Sequence, residues 1–115
     1  MKALGFIFGI ILSMGHVAMA AERNITIVNY ETEGVKQWIP GTVVVEQGDQ
    51  VNITLINNVP SGLHGFTIPD FNQTVVVKKG ESQTISFKAD KSGIFPINCH
   101  LHKPHVGGQF VVLKK

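Results

Sequence analysis

The chain has 115 residues, with 10 Lys+Arg against 8 Asp+Glu and 43% hydrophobic residues, which is room for one ordinary globular domain. No basic run exceeds two residues and the formal net charge is +2, so the chain offers no electrostatic footprint for nucleic acid. A single cysteine, Cys99, rules out an internal disulfide and leaves the fold to its hydrophobic core.

The first twenty residues read as a signal peptide. Lys2 is a short basic start, Ala3 to Leu12 is an apolar run, and Ala18-Met19-Ala20 places small residues where a signal peptidase reads them. The apolar run is shorter than the roughly 20 residues a membrane-spanning helix needs, and no later segment comes close. The expectation is a mature domain over 21–115, periplasmic or secreted, with no membrane insertion. Its composition differs from that of the whole chain in two ways. All three methionines (Met1, Met14, Met19) leave with the signal, and of the five histidines His64, His100, His102 and His105 remain.

Short runs with two-residue alternation, separated by turn residues, predict an all-β fold. Asn24 to Tyr30 reads as a first strand and Thr42 to Glu46 as a second, ended by Gly48-Asp49. Between them, Glu31 to Gly41 fits a loop, a turn of helix or an irregular edge strand, with Trp38 as a core or interface anchor. Val51, Ile53 and Leu55 alternate as a half-buried strand does. A loop from Asn57 to Gly62 delivers His64, which opens a strand to Ile68. Asp70 to Gln73 reads as a turn, Thr74 to Lys78 as a strand, and Ile85 and Phe87 mark the next. Asp90-Lys91-Ser92-Gly93 has turn chemistry. Ile94 to Cys99, a His-rich loop and Gln109 to Leu113 finish the chain. Seven or eight strands at this spacing predict a two-sheet sandwich with Greek-key connections.

Three of the four mature histidines fall within six residues of Cys99. A lone cysteine is commonly an inert buried hydrophobe, but this neighbourhood argues for a ligand. Strand alternation puts Phe95, Ile97 and Cys99 on one face, so Cys99 points inward and His100 away, toward the surface. His102 and His105, three and six residues on, lie in a loop long enough to fold both imidazoles back to a metal held by the thiolate. One soft and two borderline donors suit copper or zinc, whereas a hard cation wants carboxylates. His64, the only mature histidine outside the cluster, supplies a fourth donor.

The stretch from Gly93 through His102, with Cys99 inside it, followed by Gly107-Gly108-Gln109-Phe110, resembles the copper-loop signature of the cupredoxins, and His64-Gly65-Phe66 resembles their upstream ligand segment. Within that family the resemblance is greatest to the red copper proteins, the nitrosocyanins. It runs through Gly65-Phe66-Thr67-Ile68, Lys79-Gly80-Glu81, Thr84-Ile85-Ser86-Phe87 and Ala89-Asp90-Lys91, and covers residues 42 to 113. It implies a cupredoxin-like sandwich holding one copper per chain, with Cys99, His102 and His105 as the matching ligands. Two departures stand out: the nitrosocyanins carry a glutamate where this chain has His64, and their ligand loop is about two residues longer.

Blue copper sites use two His, one Cys and a weak axial Met. With no Met in the mature chain, His105 stands where that Met would fall, giving one thiolate and three imidazoles, a tetragonal oxidised geometry, and a potential below that of a Met-ligated relative. The leading expectation is a one-electron carrier with a redox protein partner, and not an enzyme. The alternatives are copper storage or delivery, a zinc site, or a small molecule such as nitric oxide bound at an open copper position. The resemblance further implies self-association as a trimer. Val106-Gly107-Gly108 and Phe66 are candidates for a contact surface beside the metal.

Overall fold

The computed structural model describes residues 21–60, 62–101 and 105–115. The segment read as a signal peptide lies outside the described residues. So does His102.

Ten strands are found among the described residues: β1 (Glu22–Thr32), β2 (Val35–Ile39), β3 (Thr42–Glu46), β4 (Gln50–Asn57), β5 (His64–Ile68), β6 (Gln73–Val77), β7 (Ser82–Lys88), β8 (Gly93–Ile97), β9 (His105–Val106) and β10 (Gly108–Leu113). The strands read from the sequence are all present, and β3 and β5 match it at both ends. Two strands are additional, β2 and β9. β2 resolves the segment Glu31 to Gly41: β1 runs on to Thr32, and a two-residue turn, Glu33 (φ 49) and Gly34 (φ 80), folds the chain back with Thr32 opposite Val35. Positive φ at both central residues matches the twist of the strands they join, a conformation Gly takes freely and Glu does not.

One sheet has the order β7-β4-β1-β2-β9, and a second has β3-β10-β8. The hairpin β5-β6 extends the second sheet, because Thr67 and Asn98 exchange backbone hydrogen bonds at 2.8 and 3.0 Å. From β2 onward the chain passes between the sheets at nearly every connection, which is why β1 pairs with β4 and β3 with β10 in parallel. Parallel neighbours cannot be joined by a hairpin, so this is a sandwich with crossed connections.

Alternation builds the core. Val51, Ile53 and Leu55 on β4, Ile27 on β1, and Phe110 and Val112 on β10 are all buried, and Phe66 and Ile68 on β5 join them. Phe71, in the 3-10 turn Pro69–Phe71, packs on Phe87, Phe95 and Phe110 with ring centroids 5.0 to 5.4 Å apart. Aromatic groups of this size supply much of the buried area of a small sandwich. Among the described residues no helix is long and apolar enough to cross a membrane.

Candidate metal centre

Three segments converge where β5 begins, where β8 has ended, and where β9 begins. They carry His64, Cys99 and His105, and one ligand atom from each lies within 4.8 Å of the others. His64 is fully buried, His105 is 8% exposed, and Cys99 is partly buried. The rings of His64 and His105 are tilted against each other with centroids 5.6 Å apart. A thiolate with imidazoles is a donor set for a soft or borderline metal, and the spacing of these atoms fits the copper that the family resemblance implies. His102, the fourth residue read as a ligand, lies outside the described residues.

Each of the three donors is held from behind. His64 opens β5, whose five residues are all buried; β6 pairs along one edge, and Asn98 bridges to Thr67 on the other. The next residue, Gly65, ties two of the segments together: its N–H donates to the Cys99 sulfur at 3.4 Å, and its carbonyl accepts the indole N–H of Trp38 at 2.8 Å. A hydrogen bond to a ligand sulfur withdraws charge from it and so tunes a bound metal. Trp38 also meets Phe66 edge to face at 5.6 Å and stacks on His105 at 6.2 Å. It is the core anchor read from the sequence, and it also braces the site directly.

His105 sits on β9, which pairs in parallel with β2 (Lys36 opposite His105). Its Nε2 lies 2.8 Å from Oδ1 of Asn29, a fully buried side chain on β1. Sequence reasoning passed over Asn29 and its neighbour Asn57, since a polar residue in an alternating strand reads as facing solvent. Only the β1/β4 register, which sets Asn29 opposite Asn57, reveals the pair.

The strand reading of Cys99 and His100 holds. Phe95 and Ile97 turn inward while Ile94, Pro96, Asn98 and His100 are exposed. The imidazole of His100 lies over the Cα of Gly65, so closely that a Cβ there would collide with it. One expectation is corrected. Phe66 is completely buried beneath Trp38 and takes no part in a surface, whereas Val106 is 43% exposed.

A β-sandwich carrying this Cys/His cluster is a copper-binding domain of the cupredoxin type. The family model of the cupredoxin-like domain matches residues 3–112, and the chain belongs to that family. It is 35% identical over 57 residues, 48% of its length, to the nitrous-oxide reductases of Cupriavidus necator and Ralstonia nicotianae. That match takes in 9% of each reductase, so the chain spans about a tenth of the length of those curated relatives. Among solved structures, the copper nitrite reductase of Nitrosomonas europaea superposes with a TM-score of 0.71 at 22% identity, over 82% of this chain and 42% of that one. The Cu-containing nitrite reductase of Thermus scotoductus gives 0.62 at 32% identity, over 83% of this chain and 28% of that one.

Proposed function

We propose that the protein is an exported mononuclear copper protein that carries single electrons, with one copper held by Cys99, His64, His105 and His102. The observation that supports this most is the convergence of a thiol and two imidazoles, each from a different segment, within 4.8 Å on a buried scaffold. Copper bound there supplies a one-electron change between its two common oxidation states.

The chain's own residues make that change easy by moving little. His64 is fixed by the β5 pairing and, through Gly65, by Trp38; His105 is fixed by β2 and Asn29; Cys99 is tethered to Gly65 N–H. These partners orient the ligand atoms, and burial of both imidazoles shields them from water, so the site would need little rearrangement between oxidation states. Three imidazoles without a thioether favour the oxidised ion, so the potential lies below that of a Met-ligated relative. The nitrosocyanin-like features support a tetragonal, red site, with His64 in place of that group's glutamate.

Around the centre, Leu63 (47% exposed), Leu101 (44%) and Val106 (43%) are apolar residues next to His64, His100 and His105. They form the surface at which we place the redox protein partner. Removal of residues 1–20 on export and self-association as a trimer belong to the same proposal; intact-mass measurement and size-exclusion chromatography of the secreted protein test them.

Voltammetry tests the function. A carrier gives a reversible one-electron wave and a spectrum indifferent to azide or nitric oxide. A spectrum that changes on adding either ligand assigns the site to small-molecule binding, and colourless zinc binding without a wave assigns it to zinc.

A further inference from the structure

Behind His105 runs a buried chain of hydrogen bonds with a definite polarity. Asn57 Nδ2 donates to the backbone carbonyls of Gly62 and Val77, both at 2.8 Å. Its Oδ1 accepts from the N–H of Val59 at 3.0 Å and from Asn29 Nδ2 at 3.4 Å. Two donors facing two carbonyls and an acceptor facing an N–H allow this amide one orientation only. Asn29 follows from it: with its Nδ2 turned to Asn57 Oδ1, its own Oδ1 faces Nε2 of His105 at 2.8 Å. The backbone holds both amides in place. Asn29 and Asn57 are register partners on β1 and β4, Asn58 N–H donates to Asn29 O, and Gly80 N–H donates to Asn57 O.

We infer that this Asn57–Asn29 relay fixes the tautomer of His105, placing its proton on Nε2 and leaving Nδ1 to bind the metal. A neutral imidazole has two choices. His105 Nδ1 lies 3.3 Å from the carbonyl of Val106, so the opposite tautomer, with the proton on Nδ1, also has an acceptor. That alternative needs Asn29 to present its NH2 to Nε2, which turns its oxygen onto Asn57 Oδ1. Asn57 then has to flip as well, aiming its oxygen at two carbonyls and its NH2 at the Val59 N–H. Asn57 then loses its bonds to the Gly62 and Val77 carbonyls and to the Val59 N–H together, in a place where both side chains are fully buried. The geometry therefore selects the tautomer from two backbone carbonyls, those of Gly62 and Val77, on the far side of Asn57. A ligating histidine whose other nitrogen donates to a fixed acceptor is both oriented and made a better donor.

Asn29 and Asn57 are thus positioning residues. The inference rests on the proposed metal site only for its consequence, since the tautomer is a property of the protein itself. Long-range proton–nitrogen correlation spectra of the metal-free protein, with isotope-labelled histidine and at a pH where imidazoles are neutral, read it directly. The His105 signals are assigned by their loss in His105→Gln. The wild-type protein shows His105 protonated on Nε2 alone. Asn57→Ala, which leaves the Asn29 side chain itself in place, shows both tautomers, and Asn29→Leu shows the Nδ1-protonated form. A purely structural Asn57 lowers stability and leaves the tautomer unchanged. Zinc or cadmium affinity falls roughly 10- to 100-fold in Asn29→Leu, as for other partners of a ligating histidine. Wild-type His105 protonated on Nδ1 overturns the inference, and so does a folded Asn57→Ala that keeps the single Nε2 tautomer. If Asn57→Ala does not fold, the wild-type and Asn29→Leu spectra decide. Failure of the protein to bind copper leaves these spectra interpretable and counts against the electron-carrier reading alone.

Discussion

Trp38 donates its indole N–H to the carbonyl of Gly65 at 2.8 Å across 27 residues of sequence, fastening the hairpin strand β2 to the strand that begins with His64. Gly65 in turn donates its N–H to the Cys99 sulfur. One residue thus links an aromatic anchor, a thiol and the strand of a buried imidazole. The arrangement explains why Trp38, 4% exposed, lies under the site and not elsewhere in the core.

Trp38→Phe keeps most of the ring packing on Phe66 and removes the donor. A buried carbonyl left without its partner costs about 1–3 kcal/mol. Urea unfolding of the variant shows a lower midpoint with an unchanged slope, because the surface exposed on unfolding is the same. A midpoint equal to that of the wild type shows that the bond contributes nothing.

Gly65→Ala drives a new methyl group into the imidazole of His100. The clash is with the His100 side chain alone, so the strain is relieved by adding His100→Ala. The double-mutant cycle between the two positions yields a coupling on the order of 0.5–3 kcal/mol, with the double variant more stable than the two single losses sum to. Additive losses place His100 elsewhere.

How much of this was legible in the chain depends on the residue. Alternation on Val51, Ile53 and Leu55 and the turn residues around them give the sandwich, and residue type with spacing gives His64, Cys99 and His105. β2 was legible only as one of three alternatives for Glu31 to Gly41, since its turn carries Glu33 at positive φ where Asn, Asp or Gly is the usual signal, and its burial does not alternate cleanly. β9 is two residues long and has no period to detect. Asn29 and Asn57 become neighbours only through a parallel pairing, which local sequence does not encode. Phe66 was misjudged because an aromatic beside a ligand is equally at home in a core and on a docking face.

At the far end of β1, Arg23 Nε donates to Asp49 Oδ2 at 2.9 Å, and the Glu46 N–H donates to the same oxygen at 2.9 Å. The Arg23 hydrogen bond first, and the Glu46 amide second, hold the Asp49 carboxyl below the usual carboxylate range. A depressed folded pKa gives stability that is present above the unfolded value, near 3.9, and lost as pH falls through the folded one. Asp49→Asn is therefore less stable than the wild type at neutral pH, and the gap closes as the solution is acidified below about pH 4. Thermal unfolding of both proteins across that range checks it; a gap that widens in acid contradicts the assignment.

His105→Met places a thioether where the third imidazole stands. The thioether stabilises the reduced ion relative to an imidazole, so voltammetry of the copper form shows a higher reduction potential and the spectrum moves toward that of a blue site. A potential that falls or stays fixed removes His105 from the ligand set.

The central claim is that Cys99, with His64 and His105 beside it, holds copper. Its most direct test is the optical and electron paramagnetic resonance spectrum of the protein with one equivalent of Cu(II), recorded beside the Cys99→Ser variant. A sulfur-to-copper charge-transfer band, saturating at one equivalent and absent from Cys99→Ser, is the expected result. No such band, or one that survives the loss of the thiol, contradicts the claim.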